Sequence, residues 1–438
     1  MGKPEINVGL LGWGTVGTGV SKILINQKHQ IYQNTGLSLN LLKVAKRTLP
    51  AQRIGVDLAD NCLTTDVNTI VDNPDIDIVV ELIGGIANSR ELISRAIRNG
   101  KSIVTANKAL IAECGADLYQ LAQKQGVSLN FEASTAGGIP IIKTLRESFA
   151  GNKVESIYGI VNGTCNYILT EMQKNGRNFS EALKMAQERG YAEADPTLDI
   201  DGTDAAQKLT ILVALAHHIK VPLNQVHTEG ITKITQNDIQ YAQELGYTVK
   251  LLAITKSRGT KIDVRVHPTL IPNDSMLANV SDAFNAVCVV GNAVGPTLFY
   301  GQGAGEMPTA SAVVADIIDA ARSINGNSHV PIPPAWASKP HSDFSIGLID
   351  DIETRYYLKL VVQDCPGVLA QIGTILGNQD ISISSVIQKE PHCKNSVSLI
   401  ILTHKACEAN MRQARIEIDN LEVVQEKLTL IRIEEFDF

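Results

Sequence analysis

An apolar run, Ile6 to Leu11, leads straight into three glycines, Gly12, Gly14 and Gly17, within the stretch Val8-Gly-Leu-Leu-Gly-Trp-Gly-Thr-Val-Gly17. The run reads as a buried strand, and the glycines as the turn that carries it into a helix. Gly12 permits the tight turn, Gly14 lets backbone approach a pyrophosphate, and Gly17 lets the helix pack closely on the sheet. Trp13, Thr15 and Val16 complete the turn, where helix N–H groups favour phosphate charge. A tight turn that binds nothing has the same glycines. Its place at the head of a long alternating chain favours the dinucleotide.

With 438 residues the chain exceeds one ordinary core, so two or three domains are expected. A net charge of −7 carries no footprint for nucleic acid or an anionic membrane. The seven cysteines are scattered without a C-x-x-C pair, which speaks against a disulfide framework or a zinc cluster. The N-terminus lacks a long apolar segment, and Ile6 stands where a myristoylation motif needs Ser or Thr. The apolar stretch Thr210–Ala216 is cut short by His217 and His218, well below spanning length. A cytoplasmic, reduced and soluble protein is the expectation.

Residues 1–141 alternate strands (Ile6–Leu11, Leu39–Ala45, Ile76–Leu82, Ser102–Thr105, Ser128–Glu132) with helices (Arg90–Asn99, Gly115–Lys124) stopped by Gly100 and Gly126. This α/β pattern predicts a Rossmann-like, doubly wound parallel sheet. Residues 142–300 predict a second, α+β substrate domain with a mixed sheet, to which the family resemblance given below adds catalysis and dimerisation. Its helices are Ser180–Arg189, with Ser180 as N-cap, and Asp204–Ala216; its strands are Ser156–Val161, Ile262–Leu270 and Ala286–Val290. The glycines of Gly301–Gly305 and a helix from Pro308 to Arg322 would return residues 301–324 to the cofactor, with Gly303 beside it. Residues 325–350, with Pro331, Pro333, Pro334 and Pro340, read as a linker, and residues 351–438 as a ferredoxin-like βαββαβ unit.

Four groups of residues carry candidate chemistry. Lys46 and Arg47 end the second strand, where an acid usually holds a ribose 2′-hydroxyl; cations there attract a 2′-phosphate, so NADP is accepted over strict NAD use. Lys108 follows the fourth strand at the carboxyl edge where α/β sheets bind ligands, although a surface lysine would look the same. Asp204 and Lys208 share a helical face four residues apart. They follow the acidic loop Gly190–Gly202, whose Glu193, Asp195, Asp199 and Asp201 suit an ammonium group. Finally, Glu132 opens the glycine-rich turn to Pro140, whose carbonyls and single carboxylate suit a monovalent cation better than zinc.

Together these residues resemble the homoserine dehydrogenases of the long bacterial type. The matching pieces are Gly12–Gly17, Thr105–Lys108, Glu132–Pro140, Asn162–Leu169, Gly190–Pro196, Asp199–Leu209 and Gly301–Gly305. The resemblance implies NAD(P)-dependent interconversion of L-homoserine and L-aspartate 4-semialdehyde in threonine and methionine synthesis, by a homo-oligomer, dimer or tetramer. It makes Lys208 the acid/base with Asp204 beside it, places Lys108 between cofactor and substrate, gives Glu193 the substrate amino group with Asp199 nearby, and makes Glu132, with the carbonyls of Thr135, Gly137 and Ile139, a sodium site. Cys165 stands where the family has threonine. The tail resembles an ACT domain through Leu358–Asp364, Pro366–Leu369 and Ile381–Ile383, which implies an amino-acid effector, here L-threonine.

Oxidising an alcohol needs a base near the hydroxyl and a cationic environment for the alkoxide, and two lysines answer both needs. Their mutual repulsion, together with burial, would leave one of them neutral enough to act as base. Two rivals remain open: a cysteine-dependent semialdehyde dehydrogenase using Cys165, and a non-catalytic sensor of nucleotide and amino acid.

Overall fold

The strand β1 (Ile6–Leu11) is buried along nearly its whole length, as a continuous apolar run in a parallel sheet must be. The computed structural model describes residues 5–48, 56, 58, 61–326, 344–388 and 396–436. These fall into two compact units, one formed by Met1–Gly163, Asp204–Val226 and Ala283–Phe344, the other by Thr164–Thr203, His227–Asp282 and Ser345–Phe438.

In the first unit β1 joins β2 (Leu39–Ala45), β3 (Leu63–Thr64), β4 (Ile78–Glu81), β5 (Ser102–Thr105) and β6 (Leu129–Asn130) in the order β3-β2-β1-β4-β5-β6. Every pairing is parallel, and β1 lies between β2 and β4, at the switch point where a doubly wound sheet binds its ligand. The helix Glu306–Ile324 closes one face of this sheet. Its Ala310, Val313, Val314 and Ile317 share a core with Val8, Leu10 and Val80. Gly19, on the helix Thr15–Asn26, permits the close approach, since a Cβ there would lie 2.8 Å from the Glu306 carbonyl oxygen. A separate antiparallel ladder in this unit pairs Phe284–Gly291 with both Val154–Ile160 and Gly295–Gln302.

In the second unit Tyr247–Arg258 and Lys261–Pro272 form a long antiparallel hairpin. Its second strand pairs in parallel with Val424–Ile433 through Thr269 and Leu270. From there the tail sheet runs Val424–Ile433, Glu353–Gln363, Ser396–Thr403, Ile383–Gln388, all antiparallel. The helices Val368–Asn378 and Glu408–Asp419 cover it, burying Ile372, Leu376, Met411 and Ile418 against Tyr356, Leu358 and Leu399. This is the expected βαββαβ order.

Several boundaries differ from the sequence expectation. The helix Phe179–Glu188 is capped by Asn178 and not by Ser180: the Asn178 side chain accepts from the Glu181 N–H at 2.9 Å, and Glu181 reaches back to the Asn178 N–H. That reciprocal pair satisfies two otherwise unpaired donors. The helix expected from Gly115 begins at Lys108, because Asn107 caps it. The fifth expected strand is cut to Leu129–Asn130, and a 3-10 turn, Glu132–Ser134, follows. Tyr247–Arg258 and Gly295–Gln302 are strands that the pattern did not predict. The four prolines of the expected linker lie outside the described residues; Ser345–Ile346, at its end, pairs with Lys261–Ile262. Among the described residues no helix is long and apolar enough to cross a membrane.

His217 closes the largely buried helix Thr203–His217, with Nε2 enclosed and lacking a hydrogen-bond partner. Burial, then the nearby His218 and Lys153, push its imidazole down to about 4. A histidine whose folded pKa lies below its unfolded value leaves stability intact above the unfolded pKa of about 6.5 and withdraws it as pH falls toward the folded one. His217→Leu is therefore expected to recover about 2 kcal/mol of the stability lost between pH 7 and pH 4.5. Urea unfolding at both pH values measures this; an identical loss in parent and variant would exclude His217 as its source.

Candidate active site and cofactor cavity

Lys108 is the first residue of the helix Lys108–Gln125. The strand ends before it hold it in place. Asn107 accepts from the Leu110 N–H at 3.1 Å, and its amide donates to the Gly85 carbonyl at 2.6 Å. The Thr105 hydroxyl accepts from the Asn107 N–H at 3.0 Å and donates at 2.7 Å to Glu81, a carboxylate buried at the end of β4. Asp204 and Lys208 sit one turn apart on the helix Thr203–His217.

These three residues meet. Lys108 Nζ lies 2.6 Å from Asp204 Oδ1, and Lys208 Nζ lies 2.7 Å from Asp204 Oδ2. Lys208 also donates to the Val161 carbonyl at 2.6 Å, and the Asn162 amide donates to Asp204 Oδ2 at 2.9 Å. Asp204 is almost fully enclosed, with its side chain 6% exposed, whereas that of Lys108 is 40% exposed. Burial by itself would favour the neutral acid, but the Lys208 and Lys108 ammonium groups hold the Asp204 carboxyl well below the usual carboxylate range. The sequence expectation set two repelling cations side by side; the structure interposes an anion. The triad, with both amines protonated, carries a net charge of +1, and its solvent-facing member is Lys108.

A cavity of about 660 Å³ opens at the carboxyl edge of the parallel sheet, lined by Gly12, Trp13, Gly14, Lys46, Arg47 and Arg95 among others. Gly12 has φ +103°, and a Cβ there would meet the Leu82 carbonyl oxygen at 2.7 Å; a Cβ on Gly17 would meet the Gly12 oxygen at 2.2 Å. Gly14 faces open space, so its side would admit a phosphate where a Cβ would intrude. Thr15 and Val16 begin the helix Thr15–Asn26, whose N-cap is Gly14. The Lys46 ammonium lies 5.5 Å from the Trp13 ring centroid, close enough for a cation–π contact. A nicotinamide dinucleotide fits this lining. Gly303 is not part of the described lining; a Cβ on it would lie 2.0 Å from the Asn285 side chain, and its carbonyl packs against Gly137.

Glu132 is buried, and its two oxygens accept from the Ile142 and Lys143 N–H groups at 2.7 and 2.8 Å. Burial pushes its carboxyl up to about 7 against the pull of those bonds. Thr135 Oγ1 is buried without a partner, and Ala136 and Gly137 both have positive φ, at 56° and 53°. Ile139 closes the turn, its carbonyl accepting from the Ile141 N–H at 2.8 Å. Among the described residues no cluster of three or more His, Cys, Asp or Glu side chains could hold a metal.

In the second unit the acidic loop is partly self-structured. Asp195 accepts from both the N–H and the hydroxyl of Thr197, a turn-forming role that the expectation of ammonium recognition did not foresee. Asp199 accepts from the Thr164 hydroxyl at 3.2 Å, and Asp201 from the Thr203 N–H at 2.8 Å. Glu193 is exposed, and its carbonyl accepts from Gln187 at 3.2 Å. Cys165 is buried with its thiol 3.1 Å from the Asp199 carbonyl oxygen, where it packs as a small side chain. Asn162 opened a matching piece of the sequence, Asn162–Leu169, but was given no role of its own, and Arg95 was missed because nothing in its spacing signals one.

Three family models match the chain: "Homoserine dehydrogenase, NAD binding domain" over residues 12–132, "Homoserine dehydrogenase" over 140–318, and "ACT domain" over 356–423. A homoserine dehydrogenase of Neisseria gonorrhoeae is 44% identical over 437 residues, covering 99% of each chain. One of Pseudomonas aeruginosa is 43% identical, covering 99% of this chain and all of the relative. Among solved structures, a homoserine dehydrogenase from Thiobacillus denitrificans superposes with a TM-score of 0.92 at 47% identity, covering 98% of each chain. A hyperthermophilic archaeal homoserine dehydrogenase in complex with NADPH gives a TM-score of 0.62 at 26% identity, over 72% of this chain and 97% of that one. The chain belongs to the homoserine dehydrogenase family, nicotinamide-dependent oxidoreductases acting on a CH–OH group, and bears an ACT domain at its C-terminal end.

Proposed function

We propose that the chain interconverts L-homoserine and L-aspartate 4-semialdehyde, with NADP accepted as well as NAD, on the route to threonine and methionine, and that L-threonine regulates it through the ACT domain. The carboxylate of Asp204 shared between Lys108 and Lys208 carries this reading. When bound, a nicotinamide ring supplies the hydride donor or acceptor. The protein supplies the proton and the charge. In the direction of reduction Lys208 gives an ammonium proton to the carbonyl oxygen of the semialdehyde; in the direction of oxidation it takes the hydroxyl proton back. Lys108, the more exposed amine, stabilises the developing alkoxide, and Asp204 keeps both amines aimed without competing for the proton, because it stays ionised. Glu193 is assigned the substrate ammonium group, with Asp199 supporting it.

Lys46 and Arg47 at the cofactor cavity support a 2′-phosphate, which Arg can grip through two donors. The oxygen-rich turn from Glu132 through Thr135, Gly137 and Ile139, with its unpartnered hydroxyl, fits a sodium ion held by carbonyl oxygens and one carboxylate. The buried Cys165 thiol has no role in this chemistry.

Reduction of NADP+ with L-homoserine, with and without L-threonine, tests the reading; no turnover of L-homoserine with either cofactor would overturn it. Asp204→Asn, which removes the shared anion but keeps its shape, is expected to lower kcat at least about 100-fold, and Lys208→Ala about as much or more. Turnover of Lys208→Ala at the parent rate would remove Lys208 from the proton step. Arg47→Asp is expected to raise KM for NADPH about tenfold or more while leaving KM for NADH within about twofold; equal changes for both cofactors would show that Arg47 does not read the 2′-phosphate.

A further inference from the structure

Arg432, on the last strand of the tail, is a buried cation whose guanidinium is shared between two carboxylates. Its Nε and Nη2 lie 2.8 and 2.5 Å from the oxygens of Glu408, and its Nη1 lies 3.0 Å from Glu229 Oε1. Tyr356 donates to Glu408 at 2.8 Å, and His227 Nε2 lies 2.7 Å from Glu229. Burying a charged group is expensive, and an apolar contact of the same size would stabilise as well, so a cluster of this kind is best suited to fixing one register between two segments.

The segments are the tail and the short stretch His227–Ile231. His227 and Thr228 pair with Arg265 and Val266, and the Glu229 N–H donates to the Val266 carbonyl at 2.8 Å. One residue further, Gly230 is pressed against the acidic loop: a Cβ there would lie 2.0 Å from the Ile200 carbonyl oxygen and 2.5 Å from Asp201 Cα. The Ile231 N–H donates to that same Ile200 oxygen at 2.9 Å. A Cβ on Gly202, in turn, would lie 3.1 Å from the Thr228 methyl and 3.3 Å from the Glu229 carbonyl oxygen. An unbroken run of hydrogen bonds and backbone contacts thus leads from Arg432 to the loop that bears Asp199 and Asp201.

We propose that the strap His227–Ile231 positions this substrate loop, and that Arg432, through Glu229, makes its position depend on the state of the tail. Glu229 is then a positioning residue for the amino-acid substrate and the link by which an effector bound to the tail changes its affinity. The second part rests on the feedback reading given above.

The test uses the full chain and four variants, Glu229→Gln, Arg432→Met, Arg432→Lys and Gly230→Ala, with L-homoserine, cofactor and L-threonine titrations. Glu229→Gln and Arg432→Met are expected to raise KM for L-homoserine at least about fivefold, with kcat and cofactor KM within about twofold, and to raise the L-threonine concentration for half-inhibition at least about fivefold. Arg432→Lys, which keeps the charge, is expected to restore part of both. Gly230→Ala, which forces the strap off Ile200, is expected to raise KM alone. An unchanged KM for L-homoserine in both Glu229→Gln and Gly230→Ala would overturn the positioning role. Parent-like L-threonine inhibition in Glu229→Gln and Arg432→Met would overturn the link to the tail. Should the parent itself ignore L-threonine, the feedback reading and the link fall together, and the KM comparison still decides the positioning role. Glu229 is 41% exposed, so its variant carries the test if Arg432→Met does not fold.

Discussion

The site depends on one buried carboxylate that must stay charged. Asp204 could not remain an anion at its depth without compensation, and it receives two ammonium groups and an amide. The dependence runs both ways, since two amines held within hydrogen-bond reach of one carboxyl would separate if that carboxyl were neutral. Each partner comes from a different part of the first unit. Lys108 follows the fifth parallel strand, Lys208 shares a helix with Asp204, and Asn162 follows the strand Val154–Ile160. The fold of that unit is therefore a condition of the charge state.

The parallel sheet does this positioning with backbone geometry. Strand ends at the carboxyl edge are where a doubly wound sheet leaves its loops free to bind, and both the cofactor cavity and the Lys108 turn lie there. Glu81 ties the two together: it accepts from the Ile83 and Gly84 N–H groups on one side and from Ser89 and Thr105 on the other. Among the described residues it is these four donors, and no ion pair, that satisfy this carboxylate at zero exposure. In the second unit a different device holds the acidic loop, with side-chain caps inside it and the Gly230 contact against it.

Much of this was legible because it is local. The glycine turn shows this at Gly17, where the forbidden contact is with the Gly12 carbonyl oxygen five residues back; the contact that requires a glycine at position 12, with Leu82 beyond the neighbouring strand, is tertiary. The Asp204–Lys208 spacing puts both side chains on one helical face whatever surrounds them. By contrast, Tyr247–Arg258 escaped because a continuous apolar run interrupted by Lys250 and Thr255 has no clear period, and only pairing with Lys261–Pro272 makes it a strand. Asn178 displaced Ser180 as the cap because the choice between neighbouring polar residues rests on where Glu181 can reach.

Local rules specify the parallel sheet with its glycine turn, the βαββαβ tail, and the shared helical face of Asp204 and Lys208, because periodicity, glycine chemistry and helical spacing act over a few residues, whereas the place of Lys108 between cofactor and substrate was implied by family resemblance alone. Long-range packing is what sets Asp204 between the lysines, brings Asn162 to them, puts Arg95 in the cavity lining, and carries Arg432 to Glu229 across 203 positions of chain. Charges interact through space at a few ångströms, and the separation of two residues along the chain carries no information about that distance.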